Sequence, residues 1–140
     1  MPAVSVSPFA EADIAEATVF AGIGNLDIPA EQWSALANNL GENTGERGLV
    51  ARDGRGRLSG FVLFAISRLK DLHRCLRVEH LICFDLFEPA ATADALIAEM
   101  LRMAELEGCD QLSLVRPMPN PKVAAALVRA SDATALLRIF

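Results

Sequence analysis

Near the middle of the chain two strand-like apolar stretches, Gly48 to Arg52 and Arg57 to Leu69, are separated by Asp53-Gly54-Arg55-Gly56. An Asp-Gly pair tolerates the positive φ values that tight hairpin turns demand, so the spacing predicts an antiparallel β-hairpin turning at Asp53-Gly54. A third stretch follows a polar turn near Asp71 to Arg74. In it Leu76, Val78, His80 and Ile82 alternate with Arg77, Glu79, Leu81 and Cys83, which predicts two sets of side chains on opposite faces of one strand. A meander of three antiparallel strands therefore occupies the centre of the chain, and any fold must place the rest around it.

The flanks read mainly as helix. Val4 and Val6 alternate with Ser5 and Ser7 in a short opening strand, and from Glu11 to about Ala21 the residues Ile14, Ala17, Thr18 and Ala21 fall on one helical face. A second helix is predicted from Pro29, whose missing N–H is harmless in a first turn, to about Asn39. After the meander, Leu96, Ile97, Met100, Leu101 and Ala104 recur at helical spacing with Glu99, Arg102 and Glu105 outside. That helix starts at Pro89 or Thr92 and ends at Gly108. Gln111 to Val115 reads as a strand, Asn120-Pro121 opens a helix through Arg129, and Ala135 to Ile139 makes a last strand. The order β-α-α-β-β-β-α-β-α-β predicts an α/β (α+β) domain with a mixed, mostly antiparallel sheet of about six strands and helices on both faces. No repeat or linker interrupts residues 1–140, so one domain is expected.

Composition excludes several classes. With 52% hydrophobic residues and a mean hydropathy of +0.30 the chain is not intrinsically disordered. Its longest apolar runs, Phe61 to Ile66 and Val123 to Val128, fall far short of the ~20 residues of a bilayer span, so no membrane association is expected. Residues 1–10 lack a basic stretch followed by an apolar one, and Cys75, Cys83 and Cys109 form no Cys-x-x-Cys. The expectation is a cytoplasmic protein with reduced thiols and no metal site. Residues 1–46 carry seven acids and no Lys or Arg, residues 47–77 eight basic residues and two acids, and residues 78–140 five basic and nine acidic ones. The total of -5 argues against nucleic-acid binding. The basic middle either pairs with the acidic N-terminal third or meets a phosphorylated small molecule.

The element order and lengths, from about Val4 to Ile139, resemble the GNAT N-acetyltransferase fold. Val4-Ser5-Val6-Ser7-Pro8-Phe9 with the acidic helix of Glu11, Asp13 and Glu16 looks like that family's opening strand and helix. Gly48 to Leu69, with Leu58-x-Gly60-Phe61, looks like its second and third strands, and Val78-Glu79-His80-Leu81-Ile82-Cys83 like its fourth. Ala95-Leu96-Ile97 through Glu107-Gly108-Cys109 resembles the helix that follows, and Asn120-Pro121-Lys122-Val123 the opening of the last one. The resemblance implies a cleft between the fourth and fifth strands for acetyl-coenzyme A, with the pyrophosphate against the N-terminus of the third helix.

On that resemblance Glu79 stands in the place of the base that takes the proton of the attacking amine, and backbone groups of Cys83 and Phe84 polarise the thioester carbonyl. Ala90, Ala91, Thr92 and Ala93 hold the pyrophosphate, with Asn120 at the head of the last helix also lining the cofactor. The loop departs from the family pattern: it contains no glycine, Pro89 removes a donor, and Glu88 adds a negative charge. The family's usual acid is a Tyr in the last helix, whereas this chain has no Tyr and carries Leu127 near that place. Two functions follow as alternatives, an N-acetyltransferase acting on an unidentified amine and a GNAT-like binding or regulatory module without catalysis. Residue roles stay equally open. Glu79 is the base or a solvated carboxylate paired with Arg77, and His80 a core residue or a second polar group. Trp33 is a core residue or the anchor of a homodimer, although in that family the second helix also borders the acceptor pocket. Glu31 and Glu42 would suit a cationic amine if they line the cleft.

Overall fold

The computed structural model describes residues 4–23, 28–38, 45–68, 73–83, 89–115, 121–134 and 136–138. Its elements are β1 (Ser5–Pro8), α1 (Glu11–Ile23), α2 (Ala30–Asn38), β2 (Gly45–Arg52), β3 (Leu58–Arg68) and β4 (Arg74–Cys83), then α3 (Pro89–Leu106), β5 (Cys109–Leu114), α4 (Pro121–Ala133) and β6 (Leu137–Arg138). The order and type of these elements are those the periodicity predicts. One six-stranded sheet runs β1-β2-β3-β4-β5-β6, antiparallel from β1 to β4 and parallel from β4 to β6.

Alternation along the central strands separates two cores. Leu49, Val62, Phe64, Leu76 and Val78 point to one face and pack with Leu96, Ile97 and Met100 of α3 and Val123 and Leu127 of α4. Val50, Phe61 and Leu63 point to the other and pack with Phe9, Ala17 of α1 and Leu36 of α2. Trp33 joins this second core, 5.9 Å from Phe61 and 6.4 Å from Phe9 between ring centroids. The core reading of Trp33 is therefore the observed one.

Three local expectations are revised. The left-handed residue of the β2–β3 turn is Gly56, at φ 78°, and not the Asp53-Gly54 pair. Gly56 N–H donates to Asp53 O at 3.0 Å, and Asp53 Oδ1 accepts from the N–H groups of Arg55 and Arg57 at 2.8 and 3.0 Å. The turn is thus held by the aspartate, and those donors keep its carboxyl below the usual carboxylate range. Second, α4 runs past Arg129 to Ala133, because Ser131 on its buried face satisfies its hydroxyl on Val128 O at 2.9 Å. Third, β6 is Leu137–Arg138 with Leu136 outside the strand, while Ala135 and Ile139 lie outside the described residues.

The charge asymmetry is partly internal. Arg52 on β2 donates to Asp13 and, at 2.9 Å, to Glu16, so an acidic helix face is tied to the basic hairpin. These carboxylates hold the Arg52 guanidinium pKa above its ordinary value. Asp13 does double duty, since its other oxygen accepts the Ala10 N–H at 2.8 Å and caps the first turn of α1.

Gly60 on β3 sets how closely α3 approaches the end of β4. A Cβ there would lie 2.6 Å from Ile82 O, 2.8 Å from Thr92 Cγ2 and 3.3 Å from Cys83 Cα. The Ile82 carbonyl is backbone and cannot step aside alone. Gly60→Ala is expected to cost about 1–3 kcal/mol, read as a lower urea midpoint at unchanged slope. A midpoint equal to wild type would mean that helix and strand separate freely here.

Candidate functional site

β4 pairs with β3 along its whole length, but the register slips. Leu63 faces His80 and Phe64 faces Val78, so Glu79 is an extra residue bulged out of the ladder. A bulge turns two successive side chains to one face. Leu76 and Val78 pack with the α3 and α4 core, and beyond the bulge Leu81 and Cys83 return to that core. Glu79 and His80 both lie on the α2 side, where Leu63, opposite His80, also packs. Strict alternation, which set Glu79 and His80 on opposite faces, fails here because the sequence shows the period of a strand but not its bulges.

Next to the bulge, β4 and β5 part. Their parallel pairing runs from Arg74 and Cys109 to Val78 and Leu114, followed by Val115 N–H donating to Val78 O at 3.0 Å. Beyond Val78, β4 continues to Cys83 with only β3 beside it among the described residues. On its β5 side the segment Glu79 to Cys83 therefore has no strand laid against it among the described residues.

Glu79 is the acidic group of this segment, with its side chain 14% exposed. Gln32 Nε2–H donates to its Oε2, and Arg77 Nη2–H donates to Oε1 at 3.3 Å. One donor comes from the first turn of α2 and the other from β4 itself. The pairing with Arg77 is as the sequence suggests; the contact with Gln32 is not legible there. Its one trace is spacing, since Gln32 lies one turn before the buried Leu36 and so on the sheet-facing side of α2.

The N-terminus of α3 meets the same end of β4. A first helical turn lacks carbonyl partners for its N–H groups, and Pro89 has no N–H to offer, so the donors placed here are Ala90 and Ala91. Thr92 is fully buried and touches the place a Gly60 Cβ would occupy, and its hydroxyl has no hydrogen-bond partner among the described residues. Ala93 is fully buried in the α3 core, and its N–H falls within the helical ladder. Its side chain serves packing, so the helix end offers fewer open positions than the resemblance implies. Cys83 is half-buried against the same core. Glu42, Phe84, Glu88 and Asn120 lie outside the described residues.

Other candidates are placed as follows. Leu127 is fully buried in the core. Cys75, Cys83 and Cys109 are in no disulfide. Burial pushes the Cys109 thiol up to about 11 and raises that of Cys75, so both are protonated at neutral pH. Among the described residues no group of three His, Cys, Asp or Glu side chains forms a metal site, and no helix is long and apolar enough to cross a membrane.

No protein-family model and no curated protein matches the chain. Solved structures do. A ribosomal-protein-alanine N-acetyltransferase from Brucella melitensis superposes with a TM-score of 0.67 at 21% identity, over 99% of this chain and 95% of that one. AAC(6′)-Iy, in complex with the bisubstrate analogue CoA-S-monomethyl-acetylneamine, gives a TM-score of 0.69 at 14% identity over 96% and 91%. An aminoglycoside acetyltransferase from an uncultured soil metagenomic sample, in complex with sisomicin, gives 0.66 at 14% over 98% and 92%. The fold of this chain is that of the GNAT N-acetyltransferases, reached at low sequence identity.

Proposed function

We propose that the protein is an N-acetyltransferase that moves an acetyl group from acetyl-coenzyme A to an amine. The observation that carries this reading is the parting of β4 from β5 at Val78, directly beside a bulged carboxylate and the N-terminus of α3. The unpartnered hydroxyl of buried Thr92 at that helix end adds a polar group with no structural partner among the described residues. AAC(6′)-Iy, of the same fold, is seen with a coenzyme A analogue bound.

In this reading the acetyl thioester lies beside β4 where β5 has parted from it, past Val78, and the pyrophosphate meets the N–H groups of Ala90 and Ala91. The amine nitrogen attacks the thioester carbonyl, the C–N bond forms and the C–S bond breaks. Glu79 takes the amine proton, directly or through a water, and the thiolate leaves to be protonated by solvent, because the chain has no Tyr.

Thermal unfolding with and without acetyl-coenzyme A tests the donor, with coenzyme A and adenosine 3′,5′-bisphosphate as controls. At ~100 times Kd the ligand adds about 2.7 kcal/mol, a Tm rise of roughly 8–15 °C for a domain of this length. A saturable rise is the expected result. An unchanged Tm at millimolar acetyl-coenzyme A would end the acetyltransferase reading and leave a binding module on this scaffold.

A further inference from the structure

We infer that Gln32 is a positioning residue for the proton-accepting carboxylate, so that α2 sets the geometry of the reacting end of β4. The inference rests on Glu79 acting as the base of the proposed transfer. A bulged residue lacks the regular ladder on both sides, and its side chain must be oriented by something else. Here two donors do so: Arg77 holds Oε1 from the same strand, and Gln32 holds Oε2 from α2. Arg77 is itself almost half exposed, with its side chain at 45%, so it is a weak tether on its own.

Gln32 is better braced. Its N–H is held by Pro29 O at 3.0 Å in the first turn of α2, and the next residue, Trp33, is packed against Phe9 and Phe61. The carboxamide is therefore delivered to Glu79 by a helix anchored in the second core. The pair spans 47 residues of sequence and joins the helical layer to the bulge. A fixed carboxylate keeps its remaining lone pairs aimed at one place, and a misplacement of about 1 Å at such a group costs roughly 100-fold in rate. The ionisable neighbours are Arg77, His80 on the same face of β4, and Glu31 beside Gln32 on α2.

A substitution series separates donation from packing. Gln32→Ala is expected to lower kcat roughly 10-fold, with KM for acetyl-coenzyme A unchanged, because the proposed pyrophosphate site at α3 lies on the sheet face opposite to α2. Gln32→Glu keeps the size but cannot donate as a carboxylate, and it is expected to lose as much as Ala or more. Gln32→Lys restores a donor and is expected to recover most of the rate. A residue that only fills space would rank these variants the other way, with Glu best tolerated. Gln32→Ala added to Glu79→Gln is expected to cause no further loss.

The bond itself can be read without substrate. In the free protein the Gln32 side-chain amide proton is expected downfield and slow to exchange by NMR, and Glu79→Ala is expected to abolish both properties. An amide signal indifferent to Glu79→Ala would overturn the inference whatever the activity. A responsive signal with full rate in Gln32→Glu would overturn the catalytic role of the contact and leave acetyl transfer standing. Wild-type protein that transfers no acetyl group to any amine, despite a responsive signal, would sink the function and this inference together.

Discussion

Glu79→Gln is expected to lower kcat/KM for an accepted amine by ~10²–10⁴-fold, the range that removal of a general base commands. The fold should hardly notice. Gln at this position still accepts from Arg77 through its carbonyl oxygen, and the Gln32 amide can rotate to present its own oxygen to the new NH₂ group. Both hydrogen bonds survive in altered polarity, so the stability change stays under about 1 kcal/mol. Amines at neutral pH arrive mainly as ammonium, and an amide cannot remove that proton. Steady-state kinetics beside a denaturation curve checks both halves. A variant within tenfold of wild type would remove Glu79 from the chemistry while leaving cofactor binding untouched.

The second large effect lies at the opposite end of β4. Arg47 on β2 is 7% exposed, and its guanidinium engages both oxygens of Glu107, with Nη2 to Oε1 at 2.7 Å. The carbonyl of Glu107 accepts from Arg74 Nη1 at 2.7 Å. This one residue after α3 therefore gathers side chains from β2 and β4 and fixes the turn into β5. Arg47→Ala leaves the Glu107 carboxylate, three-quarters covered, without its two-pronged partner, and removes the packing of a long side chain. The expected cost is about 2–3 kcal/mol, below the full value of a completely buried pair because Glu107 retains some solvent. Replacing both residues by apolar ones, Arg47→Met with Glu107→Leu, should recover much of that loss. Urea denaturation of the single and double variants decides the point, and a double variant no more stable than Arg47→Ala would show that the cost comes from losing the ion pair itself and not from a stranded carboxylate or lost packing.

Periodicity carried the sequence reading as far as local rules reach. The α3 stripe of Leu96, Ile97, Met100, Leu101 and Ala104 and the closing Gly108 are written within a few turns of chain, and the helix forms where they say. The hairpin is equally local, although the residue that turns left-handed, Gly56, was hidden beside a better-known Asp-Gly pair. What escaped depends on partners distant in sequence. The Glu79 bulge arises from how β3 and β4 register, the Gln32 contact crosses 47 residues, and Arg47 meets Glu107 across 60. A sequence offers no depth, so Ala93 reads with the helix terminus, whereas four residues past Pro89 the helix has already turned it into the core.

The spatial order of the six strands is also their order along the chain. No strand has to slot between two neighbours that are already joined, so the sheet can assemble outward from the β2–β3 hairpin, an event of ~1–10 μs in isolation. Growth towards β4 needs one more short turn. Growth towards β5 and β6 is different, because each parallel neighbour arrives only after a helix has been laid across the sheet. The slow, non-local part of folding is thereby concentrated on the half that holds the parted strands. Cooperative resistance to opening is then greatest in the antiparallel half, and the bulge at Glu79 borders the part that closes last and can breathe first.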